Sequence, residues 1–316
     1  MRRALCILAA LLEMTGCAAH APNAAGACTL TRLAEAPLET RGNLLFVHAT
    51  IDHAPLTLLI DTGAQRTLLT ETTVTWLRLP RDFNHATRTL GIGSPTASWD
   101  AKLPDGIVLG GARFRIERVS VGRFAMGRVA GNTADGLIGA DILSAFDLDL
   151  PAGRITFYQT RPACPDAAPP WNAPYVALSG ITTRADRLMV PFELDGVLGM
   201  GVIDTGAQLS SVSRRMLERM GVAADALSVD RTVLARGAAP EQVAVRLHRF
   251  RELRVGPTVI EAPVLPVVPM TSSMGDALVG ADFLRGRRVW LSFAAHRVFI
   301  TRRGRGPLIA TAQSIE

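Results

Sequence analysis

Apolar residues fall along this chain in short runs rather than at helical spacing. Leu44 to Ile51 and Leu56 to Ile60 are two such runs, joined through Asp52-His53. Met189 to Leu194 and Val197 to Ile203 repeat the arrangement around Asp195-Gly196. Runs of this length, bounded by turn residues, predict strands joined as hairpins. Shorter strands are predicted at Ile107–Leu109, Phe114–Val121, Ile155–Tyr158, Val243–Leu247, Val264–Val268 and Val289–Phe293, with Gly and Pro between them. Helical patterning is confined to Thr70–Leu77 and Ser213–Met220, with short turns at Ala140–Phe146 and Ala281–Leu284. The prediction is an all-β chain.

The pattern occurs twice. Ile60-Asp61-Thr62-Gly63-Ala64-Gln65 returns unchanged as Ile203-Asp204-Thr205-Gly206-Ala207-Gln208. At the offset that carries Asp61 onto Asp204, Val47, Ile51 and Asp52 align with Val190, Leu194 and Asp195, and Arg88-Thr89-Leu90 aligns with Arg231-Thr232-Val233. Downstream, Asp135-Gly-Leu-Ile-Gly139-Ala-Asp-Ile-Leu143 matches Asp276-Ala-Leu-Val-Gly280-Ala-Asp-Phe-Leu284. A repeat of about 140 residues is far longer than a solenoid unit, so it predicts two similar lobes. Five prolines between Arg161 and Tyr175 mark the connection. The expected organisation is an export signal at 1–16, an N-terminal linker at 17–41, a first lobe at 42–160, a linker at 161–175, a second lobe at 176–302 and a tail at 303–316.

The N-terminus reads as a targeting segment. Arg2 and Arg3 precede a short apolar stretch, Ala4 to Leu12, followed by Met14-Thr15-Gly16-Cys17. That stretch is too short to span a bilayer, which takes about 20 apolar residues. The last four residues are similar to a bacterial lipobox, in which Cys17 would carry the lipid. Cleavage after Ala19-His20-Ala21 is the rival. Either layout predicts an exported protein: a periplasmic envelope lipoprotein anchored to the membrane in the first case. Cys28 and Cys164 then form an even pair in an oxidising compartment and are expected to bridge.

Composition narrows the function classes. The formal charge is +6, Lys102 is the only lysine, and the arginines are spread along the chain, which reads as solvated surface charge. Aromatics make up only 5%, which argues against stacking platforms for nucleic acid. The six histidines show no ligand spacing, so no metal site is expected. Gly91-x-Gly93 and Gly199-x-Gly201 lack the third glycine of a dinucleotide fingerprint, and no cofactor is expected.

The doubled Asp-Thr-Gly carries the chemistry. Each copy follows an apolar strand, and each is followed further along its lobe by an apolar-apolar-Gly segment, Leu137-Ile138-Gly139 or Leu278-Val279-Gly280. This combination resembles the aspartic proteases, of both the retropepsin and the bilobal pepsin type. The Ala after Asp-Thr-Gly is similar to the retropepsin form, and the Gly-x-Asp-apolar-Leu ending to bacterial retropepsin-like domains. The resemblance implies two β-barrel-like lobes related by a pseudo-two-fold axis, with Asp61 and Asp204 as the catalytic pair in the cleft between them. It implies that Thr62 and Thr205 bond across the lobe interface, that Gly63 and Gly206 turn their N–H groups toward the carboxylates, and that the apolar-apolar-Gly segments thread beneath each loop. Gln65 and Gln208 stand where retropepsins carry an Asp that contacts substrate backbone, and are the candidate substrate contacts. Gly91 and Gly93 are the candidate hinges of a flap at Leu90–Thr96, with Leu234–Pro240 as its counterpart in the second lobe. A peptide or protein substrate is implied, and a monomer, since one chain holds both lobes. Ala64 and Ala207 lack the hydroxyl that pepsin-type enzymes place near the carboxylate, which predicts a raised pKa for the pair. The rival reading is a catalytically silent relative that binds extended peptides in the same cleft.

Overall fold

The computed structural model describes residues 30–89, 96–122, 134–144, 146–150, 153–159, 168–236 and 242–301. The expected export signal, Cys17, the Cys28–Cys164 pair, the hinge glycines Gly91 and Gly93, and the tail lie outside these residues.

Both long hairpins form as expected. Leu44–Ile51 pairs antiparallel with Ala54–Ile60, and Leu188–Leu194 with Val197–Ile203. Each closes through two residues at positive φ, Asp52 (48°) and His53 (65°) in one, Asp195 (51°) and Gly196 (89°) in the other. That backbone matches the twist of paired strands, and an Asp, which tolerates positive φ, opens both turns. The helices Glu71–Trp76 and Arg214–Arg219 begin at matching caps: the Thr70 hydroxyl accepts from Thr73 N at 3.1 Å and the Ser213 hydroxyl from Met216 N at 3.0 Å.

The strands assemble into two sheets. Ten strands form the second lobe, and fifteen form the first lobe together with a ladder shared by both. In that ladder Phe146–Leu150 of the first lobe pairs antiparallel with Val289–Ser292 of the second, flanked by Arg154–Gln159 on one side and Arg297–Thr301 and Tyr175–Ser179 on the other. Trp171, Trp290 and Phe299 pack on it as an aromatic cluster. Buried Asp149 joins the lobes there, accepting from Trp171 Nε1 at 3.2 Å and Arg288 Nε at 2.9 Å. Trp171 lies in the segment expected as a linker, so this part of the connection is packed against the shared ladder. One large apolar core runs through both lobes.

Several expectations are corrected. Residues Thr31–Arg41, assigned to a linker, form a strand. Thr31–Pro37 pairs with Arg154–Gln159, and Leu38–Arg41 with Leu44–Val47. Pro37 stands where the strand passes from one ladder to the other, a place that tolerates a missing N–H. The run Phe114–Val121 is two strands, Ala112–Phe114 and Arg118–Gly122, because they pair with different partners: Ile107–Leu109 for the first, Leu68–Thr70 and Thr96–Lys102 for the second. The turn expected through Phe146 stops at Leu143, since the chain must enter the shared ladder. Arg88 and Arg231, aligned by sequence, are not equivalent: Arg88 pairs near the far end of its hairpin with Ala97, whereas Arg231 starts its hairpin opposite Leu247.

Candidate active site

Each candidate aspartate is delivered by a strand that cannot shift. Leu58, Leu59 and Ile60 are fully buried, as are Val202 and Ile203, and burying such a side chain stabilises by about 1.5–3 kcal/mol. Gly136–Ile138 runs parallel beside the first of these strands and Ala277–Val279 beside the second. Their last carbonyls receive the aspartate amides: Asp61 N donates to Ile138 O and Asp204 N to Val279 O, both at 3.0 Å. The apolar-apolar-Gly segments therefore do support the two loops.

The loops then interlock across the lobes. Thr62 N donates to Thr205 Oγ1 and Thr205 N to Thr62 Oγ1, both at 3.1 Å. The two hydroxyls donate to Ile203 O and Ile60 O, both at 2.7 Å. Both threonines are fully buried, so every one of these groups would be orphaned if its partner were removed. The glycines explain themselves by contact. A Cβ on Gly63 would overlap the Asp204 carboxylate, and one on Gly206 would overlap that of Asp61. Each carboxylate thus lies against the other lobe's loop, and the two acids face each other.

Each carboxylate also accepts from its own loop. Asp61 Oδ1 takes Gly63 N at 3.0 Å and Ala64 N at 2.9 Å; Asp204 Oδ1 takes Gly206 N at 2.9 Å and Ala207 N at 3.0 Å. The alanines lack a hydroxyl, but their backbone N–H groups serve the carboxylate, a contribution not expected from residue type. Their methyl groups join small apolar clusters, Ala64 with Leu44, Phe46 and Leu137, Ala207 with Met189, Met274 and Leu278.

A second tier holds the loops, and part of it was not foreseen. Asp141 and Asp282 stand in the first turn of the short helices Ala140–Leu143 and Ala281–Leu284. Their partners are Thr67 and Ser210. Asp141 Oδ1 accepts Thr67 N at 2.8 Å and its hydroxyl at 2.7 Å, and Asp282 Oδ1 accepts Ser210 N and hydroxyl at the same two distances. Each hydroxyl oxygen in turn accepts the amide of Gly139 or Gly280. Thr67 and Ser210 are related by the same offset as Asp61 and Asp204, so two different hydroxyl residues at equivalent places in the repeat were the available signal.

Electrostatically the pair is strained toward holding a proton. Both aspartates are buried. That burial raises both pKa values above the ordinary carboxyl value; the charge of Asp204 raises Asp61 further, and the loop N–H groups pull both back. Arg187, also buried, was not foreseen. Its Nε donates to Gly63 O at 2.6 Å across the lobe interface. Burial lowers its pKa, and the two aspartates oppose that. Gln65 is exposed and Gln208 half-exposed, and their side chains make no bond to the aspartates. The Gln208 carbonyl accepts Asn43 Nδ2 at 3.2 Å. Beside Gln65, Arg66 reaches Asp100 at 3.3 Å, and Asp100 also accepts the Thr87 hydroxyl at 2.6 Å, tying the loop to the hairpin Arg81–Thr89/Thr96–Lys102.

With this geometry in view, comparison with known proteins gives a consistent class. A family model described as aspartyl protease matches twice, over residues 47–142 and 190–283, more than half of the chain. The chain belongs to that aspartyl protease family. Among solved structures, the aspartic proteinase from Irpex lacteus is similar in fold, with a TM-score of 0.50 and 13% identity over 84% of this chain and 96% of that one. The architecture is thus the two-lobed aspartic protease fold. A search of curated proteins finds no match.

Proposed function

We propose that the protein is an aspartic endopeptidase with Asp61 and Asp204 as its acid–base pair. The observation that carries the reading is the reciprocal packing of the two buried carboxylates, each held by two N–H groups and pressed against the other lobe's glycine. Two carboxylates this close share one proton, the general behaviour of aspartic protease pairs. The ionised member takes a proton from a water, whose oxygen attacks the peptide carbonyl carbon. The protonated member donates to the carbonyl oxygen and stabilises the charge forming there. On collapse of the tetrahedral intermediate the C–N bond breaks and a proton passes from the pair to the leaving nitrogen. Gln65 and Gln208, open to solvent at the loop ends, are the proposed contacts to substrate backbone. The N-terminal layout supports action outside the cytoplasm, on a lipid anchor at Cys17, with Cys28 and Cys164 bridged.

A digest of a mixed peptide library between pH 3 and 7, with Asp61→Asn as control, tests the reading. Cleavage by the wild type and none by the variant is expected. Peptides that bind but are cut at no pH would replace this reading with that of a silent peptide-binding relative.

A further inference from the structure

Two arginines are buried to the same degree, and the fold treats them differently. Arg287 is 9% exposed; its Nε donates to Phe283 O at 3.0 Å and its Nη1 to Thr301 O at 3.3 Å, and its guanidinium lies over the Phe283 ring at 4.7 Å. Arg187 is also 9% exposed, but only its Nε is engaged, donating to Gly63 O at 2.6 Å. Among the described residues, Nη1 and Nη2 of Arg187 have no hydrogen-bond partner, and no carboxylate stands at ion-pairing distance from them. Neither nitrogen is sealed from solvent, so the small exposed part of this side chain includes its outer edge. A buried guanidinium is costly unless an opposing charge and hydrogen bonds offset it. The protein supplies one bond and leaves the outer edge open.

Gly63 fixes where that edge lies. Gly63 N donates to Asp61 Oδ1 at 3.0 Å, and a Cβ on Gly63 would overlap the Asp204 carboxylate. The guanidinium held on Gly63 O is therefore one residue away from both acids. The repeat itself asks for no cation here: at its offset the counterpart of Arg187 is Leu44, buried in the apolar cluster beneath the first loop. With Nε taken by the carbonyl, what remains is the Nη1/Nη2 edge, whose two parallel N–H groups match the two oxygens of a carboxylate.

We propose that Arg187 is a specificity-determining residue whose Nη edge receives a carboxylate of the bound peptide, from an Asp or Glu side chain or from the C-terminus. The inference rests on reading the cleft as a peptide site. Because the first lobe carries Leu44 at the matching place, the carboxylate is favoured on one side of the acid pair only.

The test uses full-length protein at about pH 6, where peptide carboxyl groups are ionised. Peptides carry Glu or Gln at each position in turn, with a free or an amidated C-terminus, which separates the two sources. Cleavage is read as kcat/KM on the wild type, and binding as fluorescence anisotropy of the same peptides, dye-labelled, on Asp61→Asn protein. Either Glu over Gln at one position, or the free C-terminus over the amide, should be favoured by about 10-fold or more in both readouts. In Arg187→Gln that ratio should fall to near one. Arg187→Lys keeps the charge but not the paired N–H edge, and should keep part of the preference. A wild type with no preference for a carboxylate at any position, or a folded Arg187→Gln protein that retains the preference, overturns the proposal. If Arg187→Gln does not fold, Arg187→Lys decides, and an undiminished preference overturns it. A protein that binds carboxylate-bearing peptides through Arg187 and cuts none keeps this inference and loses the endopeptidase reading; one that cuts peptides without the preference does the reverse.

Discussion

The two lobes agree bond for bond at the candidate pair and diverge one layer out. Aspartates, threonines, glycines and the braces Asp141 and Asp282 make matching hydrogen bonds of nearly equal length. Around them the first lobe is polar where the second is apolar, and the reverse. Arg66 and Asp100 form an ion pair in the first lobe. Ala101 pairs with Val119 as His248 pairs with Leu265. By that register and the repeat offset, the second lobe places Leu247 and Leu209 at the two corresponding positions. Conversely, Leu44 joins an apolar cluster where Arg187 donates to Gly63 O across the interface. Under the proposed mechanism the inner layer needs two equal halves, because one proton and one water would be shared between them. The outer layer is under no such demand, so each half has settled its packing separately.

Removing one hydroxyl from the interlock should have the largest effect on stability. Thr62→Val leaves Thr205 N and Ile203 O buried without partners, and Thr205→Val does the same to Thr62 N and Ile60 O. At about 1–3 kcal/mol per orphaned group, each variant should lose about 2–6 kcal/mol in denaturant unfolding. The symmetry of the inner layer predicts similar losses for the two. A large loss from one and none from the other would break the equivalence.

The outer layer should behave otherwise. Arg66→Leu strands the buried Asp100 carboxylate and should cost about 2 kcal/mol, the Arg end being partly solvated. Adding Asp100→Leu, which imports the second lobe's apolar pair, should recover most of that loss. A double variant worse than the single one would show that the first lobe cannot accept the second lobe's solution.

The smallest effect is on pH dependence. Changing both Ala64 and Ala207 to Ser offers each carboxylate a hydroxyl donor, which favours the ionised form and lowers its pKa. The bell-shaped profile of kcat/KM should move toward lower pH by a fraction of a unit, since two N–H donors already serve each acid. Stability has a related slope. The folded pair binds its proton above the ordinary carboxyl value of 3.8, so the native state holds more protons than the unfolded chain there. Stability is then fully present below that pH and declines above it, and Asp61→Asn should raise Tm at neutral pH.

Much of this was legible in the sequence because the inner layer is a repeat. Six identical residues at one offset located both loops, and the apolar runs located the strands that deliver them. The braces were half legible: Asp141 and Asp282 stood out as identical residues, whereas Thr67 and Ser210 did not, though a hydroxyl is all the geometry asks for. The strand Thr31–Arg41 was missed because its inward positions Ala34, Ala36 and Leu38 alternate correctly but are small and interrupted by Pro37. Arg187 was invisible for the opposite reason. Its counterpart is Leu44, so the repeat argues against any role for it, and its partner is a backbone carbonyl in the other lobe. Contacts between distant residues of unlike type leave no pattern in a linear reading.

The central claim is that Asp61 and Asp204 are two halves of one site. Its most direct test is kcat/KM on one fixed peptide for Asp61→Asn, Asp204→Asn and the double variant. Groups that act as a unit are lost together. Each single variant should therefore fall by about 10²–10⁴-fold or more, and the double variant should fall no further. Either single variant retaining near-wild-type activity, or losses that multiply in the double variant, would contradict the account.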